Sequence, residues 1–153
     1  TSSRREVSSL IARKVGAMST DAATTAVVLV AHGSRADAAN AEHRRLAETL
    51  AQRTERTVVP AFLELAEPSI EAAISEAVER GASRVVVLPC FLSVGRHVTI
   101  DIPQAVEESA TNHPAVDIEL RGHLGGDHRL LDVLAALIDG ATHAATGPPT
   151  AGA

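Results

Sequence analysis

Apolar positions in this chain fall into short β-branched blocks, separated by stretches where they recur every three or four residues. The blocks at 27–31, 58–65 and 85–92 are nearly continuous runs of Val, Leu, Ala and Phe, the pattern of parallel strands buried on both faces. A fourth block alternates: Val116, Ile118 and Leu120 are interleaved with Asp117 and Glu119, as in a half-exposed edge strand. Between the blocks the spacing is helical. Ala39, His43, Leu46 and Leu50 share one face of a helix predicted over 38–53, and Ile70, Ala73, Ile74, Ala77 and Val78 form the stripe of a second helix. Pro68 falls where that second helix should start and Gly81 where it should stop. Asp101 and Pro103 open a third helix, and the chain turns again at Asn112-His113-Pro114. A fourth begins near Asp127 and is expected to bury Leu130, Leu134, Leu137 and Ile138.

Strands alternating with helices are the mark of right-handed βαβ units, hence an α/β fold with one parallel sheet. Pro60 removes a ladder donor from strand two, which places that strand at an edge and leaves strands one and three central. The expected order is 2-1-3-4. Pro89 then has to lie near the carboxyl end of strand three, where pairing frays. The folded unit is expected over 26–140, preceded by a flexible extension at 1–25 and followed by a disordered Ala/Pro/Gly tail at 141–153.

A chain of 153 residues with this aliphatic content builds one core. Its only aromatics are Phe62 and Phe91, so no base-stacking surface is available and nucleic acid is not an expected partner. The formal net charge of −5 argues against a general polyanion binder but leaves room for a local basic rim. Cys90 is the sole cysteine, which excludes an internal disulfide and a thiolate-held iron–sulfur cluster. The first 25 residues contain no apolar run long enough for a signal or membrane segment. Although polar and acid-poor like a transit peptide, this stretch is read as a dispensable extension before Met18, and the expected location is cytoplasmic.

Open parallel sheets bind ligands at the carboxyl ends of their strands. His32 ends strand one and is followed by Gly33, Ser34 and Arg35; Glu64 ends strand two; strand three leads to Ser93, Gly95, Arg96 and His97. Two imidazoles and a carboxylate on one rim are borderline to hard ligands for divalent Fe, Co, Ni or Zn, and can also accept protons near neutral pH. Three ligands leave coordination positions open to a second molecule. Gly33 and Gly95 would let a flat ligand approach closely, while Ser34, Arg35, Ser93 and Arg96 could hold its carboxylates. Imidazole must be neutral to bind or accept, so activity is expected to fall as pH drops through the ordinary histidine range near ~6.5. The remaining candidates have plainer readings. His43 is a packed, hydrogen-bonded histidine; His113 and His143 belong to a loop and the tail; His123 and His128 flank a Gly125-Gly126 surface turn; Glu67 sits at a helix start; and Cys90 is a small core residue. A strand ending in His-Gly also invites a phosphohistidine mutase, but such sites want arginine just before the histidine, where this chain has Ala31.

The order His32-Gly33-Ser34-Arg35, then Leu63-Glu64-Leu65-Ala66-Glu67-Pro68-Ser69-Ile70, then Gly95-Arg96-His97 with Asp101-Ile102-Pro103, resembles the single-domain CbiX/SirB sirohydrochlorin chelatases. The resemblance covers nearly all of 27–138. It implies a chelatase-like, flavodoxin-like three-layer α/β/α sandwich around a four-stranded parallel sheet. The implied activity is insertion of Co²⁺ or Fe²⁺, or in some relatives Ni²⁺, into sirohydrochlorin for cobalamin or sirohaem. The metal would be a substrate rather than a resident cofactor. His32 and His97 would hold it and accept pyrrole protons, Glu64 would assist, and short members pair as homodimers. The alternative is a non-catalytic metal or tetrapyrrole carrier on the same fold. No nucleotide is implied, and the chain has no G-x-x-x-x-G-K-[ST] loop. Two departures stand out. Many relatives have His-Met where this chain has Phe62-Leu63, and the plant-type relatives carry extra cysteines that are absent here.

Overall fold

The computed structural model describes residues 24–93 and 95–140, with His97 described by its backbone alone. The expected extension and tail therefore lie outside the described residues, except for Thr24 and for Thr25, which already begins the first strand. The sheet contains β1 (Thr25–Ala31), β2 (Thr57–Phe62), β3 (Arg84–Pro89) and β4 (Asp117–Leu120), all parallel, in the order β2-β1-β3-β4. The predicted order stands, and so do the reasons for it. Leu63 N–H donates to Ala31 O on the β1 side, so by alternation Pro60 lacks its N–H on the outer edge, where no strand needs it. Pro89 is the last residue of β3. The neighbouring Cys90 N–H bonds back to Val30 O at 2.8 Å, so the missing donor faces β4, beyond that strand's last residue, Leu120.

Helix α1 (Asp37–Thr54) lies on one face of the sheet; α2 (Ile70–Glu79) and α3 (Ile102–Asn112) cover the other. The second face holds the main core, where Val28, Val30, Val85 and Val87 pack against Ile70, Ala73, Ile74, Ala77 and Ile102. Burying such a cluster, at ~1.5–3 kcal/mol per large aliphatic side chain, is the principal stabilisation available to a chain this poor in aromatics. The stripe expected for α2 is the buried one. Its start is later than expected: Ser69 is the cap, its Oγ accepting from Ala72 N–H at 3.2 Å, and Pro68 precedes the cap. Glu67 Oε2 accepts from Ser69 N–H at 3.1 Å, consistent with a role at the helix start.

Three further expectations need correction. On α1 the buried positions are Asn40 and Ala47, while Ala39 and Leu46 are exposed. The true face is turned by one residue because Asn40 is satisfied by the backbone it packs on and His43 by Leu29 O. Strand β2 ends at Phe62 rather than residue 65, because the chain turns through Leu65 at φ 62° and brings Pro68 O back to Phe62 N–H. The last helix, α4 (Arg129–Ile138), does not bury its apolar face: Leu134 is 47%, Leu137 70% and Ile138 85% exposed, and Leu130 is only half-buried. Periodicity encodes an apolar face but not what covers it. Among the described residues no helix is long and apolar enough to cross a membrane.

Candidate functional site

The carboxyl ends of β1 and β2 stay zipped beyond the strands themselves. Leu63 N–H donates to Ala31 O and Glu64 N–H to His32 O, both at 3.0 Å, so the two loops leave the sheet in register. This brings His32 Nε2 to 3.4 Å from Glu64 Oε1, with the two side chains 43% and 52% exposed. On its other side the ring meets Gly33 O, 3.3 Å from Nδ1. Both neighbours only accept, so a proton on Nδ1 serves the carbonyl and leaves the Nε2 lone pair facing the carboxylate, while a proton on Nε2 serves the carboxylate. In the Nδ1–H form the two facing acceptors are held together by a cation between them, either a proton or a metal ion. Donors that each sit ~2.1 Å from one ion are roughly 3–3.5 Å apart when adjacent in its shell, which is the spacing found here.

Gly33 is required by this geometry. Its φ is +94°, and a Cβ there would fall 1.8 Å from Glu64 O. Gly95 has no such constraint: a Cβ would meet nothing within 4 Å. The third loop instead coils before α3. A π-helical turn, His97–Asp101, runs directly into that helix, with Gly95 O accepting from Val98 N–H and Thr99 N–H at 3.1 Å. Sequence reading missed this turn because Val98, Thr99 and Ile100 are β-branched and suggest extended chain. Such turns recur at functional sites. His97 begins the turn, and its side chain lies outside the described ones.

Of the three expected donors, His32 and Glu64 are adjacent. Among the described residues no group of three His, Cys, Asp or Glu is close enough to hold a metal ion. Ser34 is half-buried, whereas Arg35, Ser93, Gly95 and Arg96 are exposed on the loops after β1 and β3. The histidines read as structural behave so. His43 Nε2 donates to Leu29 O at 2.9 Å and its ring stands edge-on to Phe62, and His113 Nε2 lies 3.1 Å from Ser75 Oγ between α3 and α2. Cys90 is partly buried, and burial pushes its thiol above the ordinary range.

Two features escaped sequence reasoning. Asn40 is 5% exposed and grips the loop after His32, its Oδ1 accepting from Ser34 N–H at 2.9 Å and its Nδ2 donating to Ser34 O at 2.7 Å. A polar residue in the first turn of an otherwise apolar-striped helix was the available signal. The other is a groove of about 460 Å³ at the ends of β3 and β4, lined by Leu88, Arg121, His123, Asp127 and Arg129 among others. Arg121 pairs with Glu119 at 2.9 Å. Arg129 pairs with Asp127 through two bonds, and that guanidinium holds the Asp127 carboxyl well below the usual carboxylate range.

A sequence model of the CbiX family matches residues 26–141. Among curated proteins, the chain is 38% identical over 109 residues to the chloroplastic sirohydrochlorin ferrochelatase of Arabidopsis thaliana, covering 71% of this chain and 48% of that one. It is 34% identical over 134 residues to the sirohydrochlorin cobaltochelatase of Methanocaldococcus jannaschii, covering 71% of this chain and 94% of that one. Among solved structures, the sirohydrochlorin chelatase SirB of Bacillus subtilis subspecies spizizenii in complex with cobalt superposes with a TM-score of 0.69 at 27% identity, covering 77% of this chain and 51% of that one. The chain thus spans about half the length of the plant relative and of the Bacillus structure, and nearly all of the archaeal relative.

Proposed function

Since this chain belongs to the CbiX family, we propose that it is a sirohydrochlorin chelatase, inserting Co²⁺ or Fe²⁺ into the macrocycle without nucleotide. The observation that carries the reading is the pair His32 Nε2 and Glu64 Oε1, 3.4 Å apart on the rim where parallel sheets bind their ligands. His32 and Glu64 receive the incoming ion, and His97, on the neighbouring loop, completes the set. Sirohydrochlorin docks by its carboxylates against Arg35, Arg96 and the hydroxyls of Ser34 and Ser93, with Gly33 and Gly95 beneath it. Each of the two pyrrole N–H groups gives up its proton as its nitrogen takes the metal, so one divalent ion enters and two protons leave. Each imidazole or carboxylate that hands the ion over to the macrocycle is thereby freed to accept one of these protons. The ion is a substrate, and no resident cofactor is called for.

One rim supplies one wall for a flat macrocycle. The apolar face of α4 is the surface through which a second copy supplies the other, making a homodimer.

The test is an absorbance assay with purified chain, sirohydrochlorin and Co²⁺, Fe²⁺ or Ni²⁺ in turn, against His32→Ala, Glu64→Ala, His97→Ala and the double histidine variant. The chain should accelerate insertion, and each single substitution should lower turnover by on the order of 10²-fold. Binding of metal and macrocycle with no acceleration would make the protein a carrier. Wild-type turnover in the double histidine variant would remove the proposed site.

A further inference from the structure

The contacts around the loop after β1 form a chain leading from α1 to the rim histidine. Ser34 N–H and Gly33 C=O belong to one planar peptide unit, so whatever orients the first orients the second. Asn40 Oδ1 takes that N–H at 2.9 Å, and Asn40 Nδ2 holds the next carbonyl, Ser34 O, at 2.7 Å. The Gly33 carbonyl, at the other end of the clamped peptide, lies 3.3 Å from His32 Nδ1. Ser34 Oγ tightens the same turn by accepting from Ala36 N–H at 3.0 Å. A carboxamide alone among side chains of this size offers an acceptor and a donor side by side, as the two grips require. Burial to 5% exposure keeps water from substituting for either.

We propose that Asn40 is a positioning residue for His32: by clamping the backbone of Ser34 it aims the Gly33 carbonyl at Nδ1, and so selects the tautomer whose Nε2 lone pair faces Glu64. This deepens the proposed function, because a ring protonated at Nδ1 can offer Nε2 to an ion without first losing a proton. The carbonyl also makes Nε2 a better donor, as hydrogen-bond partners behind metal-binding histidines do.

The tautomer can be read without metal or macrocycle, so it reports on the clamp even if the chain proves not to be a chelatase. Long-range ¹H–¹⁵N spectra of the ¹⁵N-labelled full chain at pH 8, with the His32 signals identified by His32→Gln, should show wild type with its proton at Nδ1. Asn40→Ala removes both grips. Asn40→Asp puts an acceptor against Ser34 O. Each should shift His32 towards a mixture with the Nε2–H form, and should weaken Co²⁺ binding in a competition titration about tenfold. Either variant decides the matter if the other fails to fold. Ile74→Val loosens the core on the opposite face of the sheet and should leave both readouts unchanged. An unchanged tautomer in a folded Asn40 variant, or the same shift in Ile74→Val, overturns the proposal. A shifted tautomer in a chain that inserts no metal would uphold the clamp and reject the function.

Discussion

Glu64 O occupies the space where a Cβ on Gly33 would sit, with 1.8 Å between them. The contact is between backbones, so neither side can rotate away, and Gly33 also holds a φ of +94° that other residues reach only with strain. Gly33→Ala should therefore destabilise the chain by at least about 2 kcal/mol and separate His32 from Glu64. Urea denaturation read by circular dichroism gives the first quantity and Co²⁺ titration the second. Gly95→Ala, placed in open space, should stay within about 0.5 kcal/mol of wild type.

The parts of this fold legible in the sequence were those set by hydrophobic burial and by proline. The strands were found because Val, Leu and Ala run together, and the sheet order because Pro60 tolerates only an edge. His32 and Glu64 were found because they follow such runs. What escaped depends on contacts distant in sequence. The offset of α1 comes from Asn40 and His43 bonding to β1 and the loop after it, and no helical periodicity contains those bonds. The π-helical turn at His97–Asp101 is held by the Gly95 carbonyl against the local preference of β-branched residues for extended chain. The exposure of α4 was hidden for the same reason that its helix was obvious: an amphipathic repeat specifies a surface, not a neighbour.

His43 shares α1 with Asn40 and yet serves packing. Its Nε2–H bond to Leu29 O and its edge contact with Phe62, a ring also covered by the Arg44 guanidinium at 5.1 Å, tie α1 to β1 and β2. His43→Ala should cost about 2 kcal/mol, from one partly buried hydrogen bond and one aromatic contact. Co²⁺ affinity should remain that of wild type. A loss of affinity comparable to that of His32→Ala would mean that His43 belongs with the metal donors.

The Cys90 thiol is held protonated by burial, so its folded-state pKa is raised above that of the unfolded chain. Protons stay on the folded form after they have left the unfolded one. The contribution to stability is thus complete below the unfolded thiol's pKa and is lost as pH rises through the folded one. Alkylation by iodoacetamide at pH 8.5 should be at least about fivefold slower in the native protein than in urea, with the native rate rising only at more alkaline pH. Equal rates in the two states would show that the thiolate forms as readily in the fold as in water.

The exposed face of α4 makes the strongest demand on a partner. Leu131, Leu134, Leu137 and Ile138 recur at helical spacing, and each is between 47% and 85% exposed. A contiguous apolar stripe of this kind on an isolated domain marks an interaction surface. Half-exposed Val86 and Leu88 on β3 lie on the sheet face opposite the main core, beside the groove at the ends of β3 and β4. If a second copy covers this surface, Leu137→Asp with Ile138→Asp should turn a dimer into a monomer in sedimentation equilibrium at micromolar concentration. Two charges placed at the centre of an interface cost several kcal/mol, enough to shift association by more than about a thousandfold. Turnover should fall with dimer content while circular dichroism stays native. A wild-type chain that sediments as a monomer and inserts metal at full rate would show that one rim suffices and that α4 serves another partner.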